Sequence, residues 1–83
     1  MATIAFEAAV SNSPGYTVPS SKLMIARATP ISGSPCLISI NGVQVAVCGN
    51  GIGDAFPICA NAGDTITAGW MDTFGLNGLL IDA

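Results

Sequence analysis

Four aspartates are the residues of this chain that come closest to a catalytic set: Asp54, Asp64, Asp72 and Asp82. Glycoside hydrolysis requires only two carboxyl groups, so the sequence permits this chemistry in principle. Each aspartate, however, stands beside a glycine or at the end of a predicted strand, where its side chain usually forms turn hydrogen bonds. We therefore expect turn roles for all four, with a small enzyme that uses Asp64 and Asp72 as a remaining alternative.

The other common catalytic and metal-binding patterns do not occur in the sequence. There is no histidine, so a serine or cysteine nucleophile lacks its usual base. Cys36, Cys48 and Cys59 are widely spaced without a CxxC pair, which favours reduced, buried thiols over a zinc site within one chain. A zinc site shared between copies about a symmetry axis stays open. We expect no catalytic residue, metal or cofactor.

The segment 48–54 contains three glycines, and a glycine-rich loop can hold phosphate with its backbone amides. That function also needs a strand before the loop, a helix after it and usually a lysine nearby. No helical pattern follows residue 54, so we expect a glycine turn or bulge.

Five residues are candidates for contact with a partner or a ligand: Tyr16, Lys22, Arg27, Trp70 and Phe74. Trp70 and Tyr16 could stack on a sugar ring beside the loops 49–54 and 71–77, although core or interface packing is the commoner role of such aromatic residues. Lys22 and Arg27 are the only cations and fall on opposite faces of one predicted strand. Each could pair with an aspartate across an interface.

The element that is easiest to predict is a hairpin centred on Asn41-Gly42. A two-residue type I′ turn needs positive φ at both central positions, and this pair joins two alternating β-branched runs. Counting outward pairs Ile40 with Val43 and Cys36 with Val47. The predicted apolar face contains Cys36, Ile38, Ile40, Val43, Val45 and Val47.

Alternating apolar residues or short apolar runs predict further strands at 3–10, 16–19, 22–28, 56–60, 65–70 and 78–82. The alanines of 3–10 leave a short helix as the alternative for that segment. Residues 72–75 and Asn77-Gly78 are predicted to form bends. No amphipathic helix is evident in the pattern. Six to eight short strands predict a single all-β domain, 1–83, built as a small antiparallel β-sandwich or jelly-roll-like barrel and completed by homo-oligomerisation.

Charge is scarce in this chain. Only 8% of residues are charged and 51% are hydrophobic, against about 25% charged residues in an average soluble domain. We therefore expect part of the surface to be buried against other copies or a partner. Strand 22–28 is largely apolar on both faces, which indicates cover on both sides, with a neighbouring chain as one candidate.

Composition also bears on other partners. The net charge is −3 with two cations, so binding to DNA or RNA is not expected. The uncharged stretch 28–53 contains proline, glycine and polar residues at short intervals, so a membrane span is not expected. No basic flank precedes the first apolar residues, so a signal peptide is not expected either.

Four segments resemble small β-structured virion proteins of tailed bacteriophages: 16–25, 37–43, 57–66 and 78–82. They read YTVPSSKLMI, LISINGV, PICANAGDTI and GLLID. Similar strand-and-turn patterns recur in capsid-decorating proteins and in fibre or spike tips of that group. The resemblance implies a homotrimeric β-sandwich or jelly-roll-like unit of a virion, and it carries over no functional residue.

The expected function is therefore structural. The first hypothesis is a non-enzymatic decoration or cement protein that trimerises on a phage capsid. It would contact the major capsid protein or another virion protein, and would reach the virion from the host cytoplasm. The second hypothesis is a receptor- or glycan-binding tip of a fibre or tail.

Overall fold

A computed structural model describes residues 3–12, 15–31, 36–48, 56–69 and 73–83. These residues form eight β-strands, and no helix occurs among them. The strands are β1 (Thr3–Val10), β2 (Tyr16–Thr17), β3 (Lys22–Pro30), β4 (Cys36–Ile40), β5 (Val43–Cys48), β6 (Phe56–Asn61), β7 (Thr65–Ala68) and β8 (Phe74–Asp82).

The strands form two four-stranded sheets. The first sheet has the order β1-β8-β3-β6 and the second has the order β2-β7-β4-β5. Every strand pair is antiparallel. The predicted all-β fold, a small antiparallel sandwich, is confirmed.

Alternation along the strands decides what the sheets bury between them. In β3, Met24 and Ala28 are completely buried, whereas Ile25 and Arg27 point outward and are exposed. The most completely buried of the described side chains come from both sheets and the loop after β2: Phe74, Met24, Ile38, Ile66, Leu76, Val10 and Val18. Each such side chain stabilises the fold by about 1.5–3 kcal/mol through its removal from water.

Strand β8 is longer than the sequence predicts. The sequence predicts bends at 72–75 and at Asn77-Gly78, but the strand runs from Phe74 to Asp82 between β1 and β3. Gly78 pairs with Phe6 on one side and Ala26 on the other. A Cβ atom at Gly78 would collide with the Ile25 carbonyl oxygen, so this glycine permits close backbone packing within a strand.

The hairpin turn forms as predicted. Asn41 has a φ of 53° and Gly42 a φ of 83°, and Ile40 pairs with Val43. Both turn residues therefore adopt the left-handed conformation that the type I′ turn requires.

The predicted hairpin register is wrong beyond the first two pairs. Gln44 pairs with Ser39, but the next pair joins Ala46 to Ile38, so Val45 is the extra residue of a β-bulge. Ala46 is half-buried opposite Ile38, while Val45 and Val47 stay 49% and 50% exposed. The bulge shifts the strand by one residue and so moves these valines off the predicted apolar face.

Candidate assembly surfaces

The outward-facing side of the first sheet, here called the outer face, is apolar at its centre. One row crosses all four strands in register and consists of Ala5, Leu79, Ile25 and Cys59. Ile25 is 45% exposed and Leu79 is 42% exposed. Because the outward side of an antiparallel sheet is ordinarily polar, this row is unusual for a surface that faces only water.

The next row of the outer face carries charge. Glu7 of β1 and Arg27 of β3 both pair with Asn77 of β8, so the two charged residues lie in one row on either side of Asn77. Two strand spacings separate their backbones by roughly 10 Å. Both side chains are exposed, and within the described part of the chain neither has an ion-pair partner.

Lys22 has a different environment. Its Nζ donates to Asp82 Oδ1 at 2.6 Å, on the strand with which β3 pairs. Lys22 therefore forms its ion pair within the chain. Arg27 is the cation that stays exposed on the outer face.

The second sheet has exposed apolar residues along its hairpin, here called the hairpin edge: Leu37 and Val47, which pair with each other, Val45 of the bulge, and Val43 beside the turn. Val43 is 65% exposed, and β5 is an outermost strand that contains no charged residue. Exposed edge strands usually carry charge, proline or a bulge that discourages pairing with other chains. Here the bulge at Val45 is the only such protection within β5, whereas β1 contains Glu7 and β6 contains Pro57.

A shallow depression of about 420 Å³ lies beside the charged row. It forms where Ala9 and Gly75, which pair with each other, leave the backbone uncovered by large side chains. Its lining includes Glu7, Thr29 and Asn77. A carboxylate, a hydroxyl and an amide can hydrogen-bond a small polar group, and the described residues of the lining include no aromatic ring to stack on a sugar.

Asp64 belongs to a turn network. Its Oδ1 accepts from the Asn41 side-chain amide and its Oδ2 from the Asn61 backbone N–H, each at 2.9 Å. The bond from Asn41, and then the bond from Asn61, lower the pKa of this carboxyl below its usual value. Since both oxygens are engaged in turns, the expected turn role of Asp64 is confirmed. Asp54 and Asp72 lie outside the described residues.

The aromatic candidates differ in their surroundings. Tyr16 is half-buried, and its ring stacks on Phe6 of the other sheet with centroids 5.3 Å apart. Phe74 is completely buried, so its side chain belongs to the core and the expectation that it contacts a partner is corrected. Trp70 and the loop 49–54 lie outside the described residues.

Sequence reasoning did not single out Glu7 or Leu79 as surface contacts, and the expectation that Cys59 is buried is wrong, because its side chain is exposed. Each belongs to a strand that was predicted, and the strand pairing is what places them on one face with Ile25 and Arg27. The available signal was the apolar character of both sides of β3. It indicated a covered outer face but not which neighbouring strands complete it.

Among the described residues, no three cysteine, aspartate or glutamate side chains are grouped so that they could hold a metal ion. The same residues contain no helix of the length and apolarity needed to cross a bilayer. No protein-family model matches the chain, and comparisons with curated proteins and with solved structures give no match.

Proposed function

We propose that this chain is a non-enzymatic structural protein of a phage particle, a homotrimeric decoration protein that stabilises the capsid. The observation that carries the proposal is the presence of two separate apolar surfaces on one small sandwich, the outer face and the hairpin edge. A cement protein needs two kinds of contact, one with its own copies and one with the shell. The resemblance of four segments to small virion proteins supports the same function.

Burial of apolar area is the mechanism of stabilisation. A copy that binds only the intact shell makes rupture or expansion more costly, because its binding free energy is lost when the shell opens. Val43, Val45 and Val47 of the hairpin edge offer the capsid an uncharged, strand-shaped surface. Low charge suits such a contact, since burying an unpaired charged group would oppose binding.

Imaging tests the location. Particles purified from cells that produce the chain are labelled with an antibody against it and examined by electron microscopy. Label spread evenly over the head supports the proposal. Absence of the chain from purified particles, or label confined to the tail, overturns it.

Binding to particles stripped of the chain tests the mechanism. We expect Val47→Asp on the hairpin edge to weaken rebinding at least tenfold and to lower the temperature at which the capsid releases its contents. Ser20→Asp is the matched control, because it adds the same charge at an exposed position outside both apolar surfaces. Equal rebinding by both variants contradicts a role for the hairpin edge.

A glycan-binding fibre tip is the second candidate. The depression beside Glu7, Thr29 and Asn77 favours it, because those groups can hydrogen-bond sugar hydroxyls. Its open shape, and the absence of an aromatic ring among its described lining residues, make it the weaker candidate. A glycan array on the purified chain, repeated with Asn77→Ala and Trp70→Ala, separates the two functions.

A further inference from the structure

We infer that copies of this chain associate through the outer face of the first sheet, with Arg27 of one copy paired with Glu7 of the next. The inference concerns self-association and rests on the proposed function only for the number of copies, three. It identifies which surface meets which, and which residues fix the alignment.

Apolar burial is the first argument. Ile25 and Leu79 occupy the two central strands, are nearly half exposed, and lie in one row with Ala5 and Cys59. Leu23 and Ile81 form the adjacent row and are only half-buried by their own chain. The four strands present a face of roughly 500 Å² per copy, so a closed trimer removes roughly 1,500 Å² from water, shared among its three contacts.

Charge complementarity is the second argument, and it selects another copy as the occupant. The face carries one anion and one cation in the same row, on different strands, and neither has an ion-pair partner within the described residues. A second outer face aligned row to row brings Arg27 close to the Glu7 of that copy. An unrelated apolar partner would leave both charges buried and unpaired, which is costly.

Sheet width is the third argument. The axes of four strands span roughly 14 Å, and neighbouring edge strands need about one further spacing at each corner, so three such faces enclosing one axis stand roughly 7 Å from it. The edge strand β6 of one copy then meets the edge strand β1 of the next. Rotation about the axis leaves each row of residues at the same position along it. Cys59 of one copy therefore meets Ala5 of the neighbouring copy, and Arg27 comes within reach of that neighbour's Glu7.

Cross-linking tests this arrangement directly. Ala5→Cys creates a thiol that should form a disulfide with Cys59 of the adjacent copy, because the two positions meet at each corner. After mild oxidation we expect a covalent ladder that ends at three copies on a denaturing, non-reducing gel. A ladder that ends at two copies, continues past three or does not form overturns the arrangement. Ala5→Cys combined with Cys59→Ser controls for the other two cysteines.

Charge reversal tests the ion pair. Glu7→Arg or Arg27→Glu should each weaken association roughly tenfold or more in sedimentation experiments, and the double variant should regain most of the loss. Val43→Asn, on the hairpin edge, should leave association unchanged. Circular dichroism of each variant separates loss of association from loss of folding. A folded double variant that associates no better than either single variant overturns the pairing.

The two proposals fail separately. A trimer cross-linked at Cys59 but absent from particles would remove the virion function and leave this surface standing. A monomer in solution at high concentration overturns the self-association proposed here, whatever the chain does on particles.

Discussion

The rings of Phe6 and Tyr16 stack across the gap between the two sheets, with centroids 5.3 Å apart and planes inclined by 17°. Phe6 belongs to β1 and Tyr16 to the two-residue strand β2. Such pairs contribute about 0.5–1.5 kcal/mol beyond the burial of their area. The stack therefore helps to close the sandwich at an edge where β2 has little pairing of its own.

Tyr16 should lose its phenolic proton only at unusually high pH. Burial raises its pKa above the usual value, because desolvation penalises the phenolate. The unfolded chain ionises first, so stability should fall as the pH rises through about 10, the ordinary tyrosine pKa. The chain has one tyrosine, so ultraviolet difference spectroscopy follows this group without interference from another. A titration midpoint at or below the ordinary value would contradict the burial, and Tyr16→Phe removes the signal.

Asp64 should make the free energy of unfolding depend on pH in the acidic range. Hydrogen bonds from Asn41 and Asn61 lower its pKa, so the stability that they supply is present above the unfolded-state pKa and is lost as the pH falls through the folded-state pKa. Urea unfolding at a series of acidic pH values measures this loss. Asp64→Asn should flatten the curve in that range, and an unchanged curve would show that other carboxyls dominate.

Asn41→Ala should lower the free energy of unfolding by about 1–2 kcal/mol. The change removes the amide that donates to Asp64 and the oxygen that accepts from the Thr65 backbone N–H, and it places alanine at a positive φ. Denaturant unfolding gives the value. Gln44→Ala, exposed in the same hairpin, should change it far less, and an equal loss in both variants would argue against the network.

Two glycines in β8 should respond differently to alanine. A Cβ at Gly78 would collide with the backbone of Ile25 and Ala26, whereas a Cβ at Gly75 would meet nothing closer than 3.8 Å. We expect Gly78→Ala to destabilise the fold by roughly 1–3 kcal/mol and Gly75→Ala to be neutral or slightly stabilising. Thermal unfolding of both variants checks the contrast. Similar melting temperatures would contradict the close packing of β8 against β3.

Local signals in the sequence predict much of the fold. Turn chemistry predicts the positive φ at Asn41 and Gly42. Period-two alternation predicts which residues of β3 share each face of the strand. The bulge at Val45 leaves no comparable signal, since the run around it alternates without a glycine. Asn77-Gly78 has the composition of a turn but lies inside β8, because pairing on both sides outweighs the local preference of the dipeptide.

The candidate surfaces are harder to predict for the same reason. Glu7 and Arg27 are twenty positions apart along the chain, and only the insertion of β8 between β1 and β3 places them in one row. Pairing between distant strands is not encoded in any short segment. The scarcity of charge indicated that some surface is covered, and the strand order identifies where.

The central position of β8 has a consequence for synthesis in the cell. Because β8 follows every other described strand in sequence yet separates β1 from β3, the ribosome must release residues 74–82 before that sheet can close. Until then β1 and β3 each lack the strand with which they pair most extensively. The nascent polypeptide exposes unpaired backbone N–H and C=O groups that can pair with other chains. Emergence of β8 therefore permits the first sheet to form, and translation products that stop before residue 74 should be prone to aggregation.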